Sequence, residues 1–197
     1  MFEESLFDRM PVIETERLIL RKVEMRDAPD MYEYSRDPLV AKHVLWDAHT
    51  SVNDTKGYIR YMLRRYRMGD PSSWGIEEKA SGKIIGTIGY MWYQTENNAA
   101  EVGYSLARMH WNKGYMTEAL RAVIDYSFQT LGIHRIEAQH ETDNGASGAV
   151  MEKCGMRKEG TLRGRLYNKG KYVDVNVYAI LREDYNRDRI ARVGKKG

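Results

Sequence analysis

Residues 17–23 (RLILRKV) alternate charged and apolar side chains, the two-residue period of a half-buried strand. Asp27 stands where a helix N-cap belongs, and a short helix is predicted to about Ser35. Asp37-Pro38 breaks it, because the residue before a proline avoids the helical region. Residues 38–50, which carry Trp46, read as a loop or a short helix. Ser51 or Asn53 can cap a second helix to about Met68. In it Tyr58, Tyr61, Met62 and Tyr66 recur at helical spacing, and Gly69-Asp70-Pro71 ends the pattern. Strands are predicted at 73–78, 84–93 and 100–106. Turn signals at 80–83 and Asn97-Asn98 join them into an antiparallel meander.

The period then changes. Met116, Ala119, Leu120, Val123, Ile124 and Phe128 form one stripe of a helix over 114–131, stopped by Gly132. Residues 133–141 read as a strand. Asn144 opens a helix to about Lys153, and Gly155 ends it. Strands near 156–166 and 172–181 flank a hairpin signal at 168–171. Strands first and strand–helix alternation afterwards predict an α+β fold, a mixed sheet with helices on both faces.

A chain of 197 residues is expected to form one domain, here residues 1–186. Apolar residues at 42%, charged residues at 30% and 4 prolines fit a folded chain rather than a disordered one. No apolar run approaches the roughly 18 residues of a membrane helix. The acidic, mixed N-terminus MFEESLFDRM is not a secretory signal. A single cysteine excludes a disulfide framework and a Cys-rich zinc site, and the reducing cytoplasm is the expected compartment. The net charge of +3 does not by itself point to nucleic acid. Much of the excess lies in residues 187–197, where Arg187, Arg189, Arg192, Lys195 and Lys196 make either a frayed, solvated tail or one that meets RNA or another anionic surface.

The most informative stretch is 100–119 (AEVGYSLARMHWNKGYMTEA), where a strand ends, a loop follows and a long helix opens. The first turn of a helix carries amides without internal partners and the positive dipole end, a seat for phosphate oxygens. Gly114 permits close approach and Lys113 adds a cation, so residues 111–117 form either a pyrophosphate seat or a plain strand-to-helix loop.

This stretch resembles motif A of the GNAT (N-acetyltransferase) superfamily. It is most similar to the RimJ/RimL branch of ribosomal-protein N-terminal acetyltransferases, which often read Trp-Gly-Lys-Gly-Tyr-Ala-Thr-Glu-Ala. Trp111, Lys113, Gly114, Tyr115, Thr117, Glu118 and Ala119 match that version, while Asn112 and Met116 depart from it. Residues 14–21, 101–106 and 158–163, with Gly170 and Asp174, resemble further segments of the branch. Residues 144–156 (NGASGAVMEKCGM) resemble its Asn-x-x-Ser-x-x-x-x-Glu-Lys-x-Gly-Phe signature, with Met156 in place of Phe. The matches span about 160 residues. The resemblance implies a mostly antiparallel, twisted sheet of about seven strands, split between the fourth (100–106) and fifth (133–141) predicted strands, where the pantetheine arm of acetyl-CoA inserts. It implies that Tyr104, Ser105 and Leu106 bond that arm through their main chain. Trp111, Asn112, Lys113, Gly114, Tyr115, Met116 and Thr117 would hold the diphosphate, and Asn144, Ser147 and Lys153 would complete the cofactor site. Asn144 can equally be a helix N-cap.

Acetyl transfer to an amine requires that the amine lose a proton, that an oxyanion be stabilised and that a thiolate leave. Glu101 beside the cleft is the candidate base, directly or through water; the alternative is a solvent-facing or salt-bridged strand carboxylate. Amides near Tyr104 and Leu106 can stabilise the oxyanion. Met151 occupies the position of the tyrosine acid of many GNAT enzymes, and Ser147 matches the serine of this branch, so Ser147 is either a hydrogen-bond donor to sulfur or a second capping residue. Cys154 reads as core. His43, His49, His110, His134 and His140 form no metal spacing backed by nearby acids, and no metal is expected. His134 and His140 share a strand face that reads as surface. Trp46, Trp92 and Tyr167, with Tyr66 and Tyr172, are candidates to line the acceptor cleft, against ordinary aromatic packing. Arg163 and Arg165 either select an acidic acceptor or form an exposed strand face. The expected acceptor is a protein or peptide N-terminus, with a small-molecule amine (polyamine, aminoglycoside or amino acid) as the enzymatic alternative. A non-catalytic acyl-CoA-binding module and an RNA- or ribosome-associated protein are the other classes. Association with a ribosome or a second copy stays open, and no membrane partner is expected.

Overall fold

The computed structural model describes Phe7 and residues 10–193, and among these described residues eight strands form one sheet in the order β1-β2-β3-β4-β5-β6-β8-β7. The strands are β1 (Ile13–Glu14), β2 (Leu18–Arg21), β3 (Ser73–Glu78), β4 (Lys83–Gln94), β5 (Ala99–Leu106), β6 (Arg135–Glu141), β7 (Arg157–Asn168) and β8 (Lys171–Leu181). Every neighbouring pair is antiparallel except β5–β6. The expected architecture holds with one strand more. β1 spans 2 residues, too few to leave a period in the sequence. Because β1 adds one to the count, the predicted fourth and fifth strands are β5 and β6.

Helices α1 (Ala28–Ser35), the one-turn α2 (Pro38–Ala41) and α3 (Val52–Met68) precede β3. Helix α4 (Tyr115–Gln129) follows β5, α5 (Gly145–Lys153) follows β6, and α6 (Arg182–Val193) follows β8. Tyr34 of α1 stands against Thr87 of β4 and Ser105 of β5. On the opposite face the Tyr90 hydroxyl bonds Ser127 of α4 at 2.5 Å, and Tyr104 reaches Ser147 of α5. Between these layers Leu18, Leu20, Ile59, Trp74, Ile76 and Leu120 are buried, each stabilising the fold by about 1.5–3 kcal/mol relative to exposure.

Local chemistry explains the helix ends. Ser51 and Asp54 form a reciprocal capping box that starts α3, and Gly69 (φ 65°) ends it in the left-handed region. Asp27 is at the N-cap of α1 but does not cap it with its side chain. Its carboxylate instead takes two bonds from the Arg21 guanidinium, at 2.8 and 2.9 Å, and one from the Glu24 amide. The backbone of residues 187–193 belongs to α6, so this part of the expected frayed tail is helical; residues 194–197, with Lys195 and Lys196, lie outside the described residues. No helix among the described residues is long and apolar enough to cross a membrane.

The feature that positions the site is a fork in the sheet. β5 and β6 pair at Ala99–Arg135, Ala100–Ile136 and Glu101–Glu137 and then part, although β5 runs to Leu106 and β6 to Glu141. A bulge in β4 between Tyr90 and Trp92 faces the β5 residues at the fork, and bulges bend the strand that carries them. β6 keeps its pairing with β8 as far as Glu141, so β5 and β6 diverge while each stays anchored on its outer edge.

Candidate active site

Glu101 is in the last pair before the fork. Its side chain shares a face with Trp92, directly across on β4, and with Gln139 of β6. The Trp92 indole donates to Oε2 at 2.7 Å and the Gln139 amide to Oε1 at 3.2 Å. Burial pushes the carboxyl above its usual range, the two hydrogen bonds oppose that rise, Glu137 adds to it and Arg165 lowers it. The outcome is a partly buried carboxyl with raised proton affinity and no salt bridge among the described residues, which is neither the solvent-facing nor the salt-bridged alternative.

Two helices point their N-termini at the open end of the fork, because α4 follows β5, α5 follows β6 and the two strands are parallel. Neither is capped by a side chain. At α4 the chain turns through Asn112 (φ 59°) and Gly114 (φ 81°), and a Cβ at Gly114 would stand 3.4 Å from the Arg17 guanidinium. At α5 the Asn144 side chain makes no capping bond, so the N-cap role is positional and its carboxamide stays available. Uncapped first turns with open amides fit the diphosphate and thioester arm of acetyl-CoA.

A scaffold holds the α4 loop from below. Glu118 accepts from the Thr15 hydroxyl at 2.6 Å, the Arg17 amide at 2.8 Å and the Arg17 guanidinium at 2.7 Å. Burial pushes its carboxyl up, but these bonds outweigh burial and hold it below the ordinary range. Arg17 also donates to the Lys113 carbonyl at 2.9 Å and lies 4.2 Å over the Tyr115 ring. Tyr115 donates to Glu78 at 2.6 Å. A groove of about 1090 Å³ brings Gly114 and Thr117 together with Arg121 and Lys153. Met116 is buried in the core, and Lys113 and Asn112 are exposed.

The main chain of β5 corrects one expectation. The Ala107 amide donates to Ile85 at 2.7 Å, across to β4. Backbone groups alternate edges along a strand, so Ser105 also turns its amide and carbonyl to β4, opposite Thr87, while Tyr104 and Leu106 turn theirs to the fork. Ser105 is therefore a ladder residue, and its hydroxyl meets Thr87 at 3.1 Å. The Leu106 carbonyl already accepts the Trp111 indole at 2.8 Å, which makes Trp111 a clasp of the loop. On the helix side of the fork the Tyr104 phenol lies 2.9 Å from Ser147 Oγ. Burial raises the phenol's pKa, while the Ser147 bond opposes that. The phenol of Tyr104 escapes a sequence reading because its partner is 43 residues away; Gln139 is legible only as the same-face neighbour of Glu137.

Of the aromatic candidates, Trp92 meets Glu101. Trp46 packs partly buried near the hairpin turn, its carbonyl accepting Lys169 Nζ at 2.7 Å. Tyr167 pairs edge-on with Tyr172 at 5.1 Å on the exposed hairpin and has no contact with Glu101 among the described residues. Tyr66 is a core residue whose hydroxyl bonds Val23 and Ser73. His140 is buried against α5 rather than exposed, and Gly148 leaves room for it: a Cβ there would stand 2.8 Å from His140 Nε2. The fold also assembles what the histidine spacing did not show, since ligand atoms of His43, Glu141 and Asp143 lie within 4.8 Å of one another. These atoms have partners: His43 bonds Glu141 at 2.8 Å, Asn168 bonds Glu141 at 2.5 Å, and Lys42 is 3.8 Å from Asp143. Cys154 is buried with its thiol toward the Thr117 carbonyl.

Comparison with known proteins agrees with this geometry. Residues 17–157 match the family described as the acetyltransferase (GNAT) domain. The chain is 36% identical over 176 residues to the uncharacterised N-acetyltransferase p20 of Bacillus licheniformis, covering 89% of this chain and 99% of p20. It is 28% identical over 180 residues to the ribosomal protein uS5 alanine N-acetyltransferase of Escherichia coli (strain K12), covering 89% and 93%. A GNAT-family acetyltransferase from Bacillus anthracis superimposes with a TM-score of 0.79 at 29% identity, over 88% of this chain and 99% of that one. RimL, the ribosomal L7/L12 alpha-N-protein acetyltransferase, in complex with coenzyme A superimposes with a TM-score of 0.77 at 23% identity, over 87% and 98%. The chain belongs to the GNAT family and is an acetyl-CoA-dependent N-acetyltransferase.

Proposed function

We propose that this enzyme acetylates the α-amine of a protein N-terminus, with Glu101 taking the amine's proton. The observation that carries the reading is the Glu101 carboxyl, held by Trp92 and Gln139 in the last strand pair before the fork. An α-amine has a pKa of about 7.7–8.0 against about 10.4 for lysine, so a carboxylate of moderately raised proton affinity suffices for it. The uS5 alanine acetyltransferase among the relatives supports a ribosomal protein as acceptor, met in the cytoplasm.

Acetyl-CoA supplies the activated acetyl group. Asn112, Lys113, Gly114, Tyr115, Met116 and Thr117 would hold its diphosphate, with amides of the last three facing the anion. Tyr104 and Leu106 would hold the pantetheine arm through their main chain, and Asn144, Ser147 and Lys153 would complete the seat. The Ser147 hydroxyl, bonded to the Tyr104 phenol, would give a hydrogen bond to the departing sulfur. Trp92, bonded to Glu101, would line the acceptor side, and Trp46 would join it from the α2–α3 connection.

The test is thiol release from acetyl-CoA with a panel of amines: peptides with free N-termini, spermidine, an aminoglycoside and free amino acids. The reading expects peptide α-amines to be acetylated with the highest kcat/KM, and Glu101→Gln to lose that activity. Turnover of spermidine or the aminoglycoside in preference to every peptide overturns the acceptor assignment.

A further inference from the structure

The β4 bulge beside the fork brings one apolar side chain next to the carboxyl of Glu101. We infer that Met91 sets acceptor specificity: its thioether packs against the side chain of the residue whose amine is acetylated, so that an apolar first residue is preferred over a polar one of the same shape. This rests on the function proposed above, with Glu101 as the base, and specifies its acceptor.

The strand register isolates Met91. Tyr90 pairs with Val102 and Trp92 with Glu101, so Met91 is the extra residue and has no partner of its own on β5. A bulge leaves such a residue unpaired and re-aims its side chain. Tyr90 before it turns to the α4 face, where its hydroxyl bonds Ser127. Trp92 after it turns to the other face, where its indole bonds Glu101 at 2.7 Å.

Met91 takes the face of Trp92 and Glu101. A Cβ at Gly103 would stand 2.8 Å from Met91 Sδ and 3.0 Å from its Cγ, so the thioether lies against the main chain of β5 where Gly103 has no side chain. Side chains alternate along a strand, and β5 is regular from Glu101 to Gly103, so the position that Met91 covers points the same way as Glu101. Two residues of strand put these positions about 6.6 Å apart. Met91 and Trp92 therefore border Glu101 on one face, the thioether along β5 and the indole across on β4.

The side chain is also open. Met91 is 48% exposed, whereas Met31, Met62 and Met151 are buried in the core. An amine that gives its proton to Glu101 brings with it the carbon to which it is attached, and the side chain of an N-terminal residue leaves that same carbon. Such a side chain reaches the thioether without any movement of the sheet. Covering the thioether removes apolar surface from water, which favours an apolar side chain. A polar side chain of equal shape gives up water there for little return, because a thioether donates no hydrogen bond and accepts only weakly. Methionine adapts to irregular apolar shapes, so the contact selects polarity more than size.

The experiment offers peptides that differ only in the first residue, in two pairs of similar shape: leucine against asparagine, and methionine against glutamine. Wild type should favour the apolar member of each pair by about tenfold or more in kcat/KM, the discrimination that a small apolar contact gives. Met91→Gln should remove the preference by lowering kcat/KM for the apolar members, and Met91→Leu should keep it. Gly103→Ala should weaken it, because the added methyl group displaces the thioether. KM for acetyl-CoA should keep its wild-type value in Met91→Gln, which separates a lost acceptor contact from a disturbed fork. Equal kcat/KM within either pair for wild type, or equal loss on both members in Met91→Gln, overturns the inference while leaving acetyl transfer to peptides intact. Absence of thiol release with every peptide overturns the acceptor reading on which it rests.

Discussion

At the scale of the residue, the proposed chemistry rests on what surrounds one carboxyl group. Water is partly excluded from Glu101, and two neutral donors, Trp92 and Gln139, replace it. Such a group holds its proton to higher pH than an ordinary glutamate near 4.3. The base form is lost as pH falls through that raised value, so the acidic limb of kcat/KM should lie above the usual carboxylate range. Glu101→Gln should remove the limb and lower kcat by about 10²–10⁴, the contribution of a positioned base. A pH series on both proteins checks this; a limb near 4.3 would show the environment to be ineffective. Ser147→Ala should lower kcat more mildly, because a thiolate is a fair leaving group, and should leave KM for the acceptor unchanged. Steady-state kinetics at saturating acetyl-CoA separate the two effects.

At the scale of the element, a loop must be both open and stiff. It is open because Gly114 and Asn112 take left-handed backbone and no side chain makes a capping bond to the first turn of α4 among the described residues. It is stiff because Arg17 ties Glu118 to the Lys113 carbonyl. Arg17→Ala should raise KM for acetyl-CoA about five- to tenfold with kcat within about twofold, a modest effect because Arg17 is partly solvent-exposed. Arg17→Lys should restore part of it, and isothermal titration with coenzyme A measures the same loss without turnover. Much at this scale is legible in the sequence. The strand at 73–78, the Ser51 cap, the Gly69 stop and the apolar stripe of α4 all follow from local periodicity and capping. The Arg17–Glu118 pair does not, because it joins residues 101 positions apart. The role of Ser105 also escapes such a reading, since which edge a backbone group faces depends on which neighbour occupies that edge.

At the scale of the molecule, the proposed seat for acetyl-CoA requires that one sheet hold together while its middle opens. The outer pairings, β4–β5 and β6–β8, persist where β5 and β6 part, and helices α4 and α5 pack behind the gap. Gly148 allows α5 to approach β6 closely. Gly148→Ala should overpack that contact and cost about 1–3 kcal/mol, lowering Tm by roughly 2–12 °C. Calorimetry reads this directly, and an unchanged Tm would show that His140 moves aside without penalty. Periodicity predicts both strands at the fork but not their parting, which lies beside a bulge on a neighbouring strand and follows from the family resemblance alone.

The central claim is that amides of α4 and the main chain of β5 together hold coenzyme A across the fork. A crystal structure with coenzyme A tests it most directly. The diphosphate should lie on the amides of Tyr115, Met116 and Thr117, and the pantetheine arm should run beside Tyr104 and Leu106 toward Glu101. Coenzyme A bound elsewhere, with the gap between β5 and β6 filled by the chain's own side chains, would contradict the account.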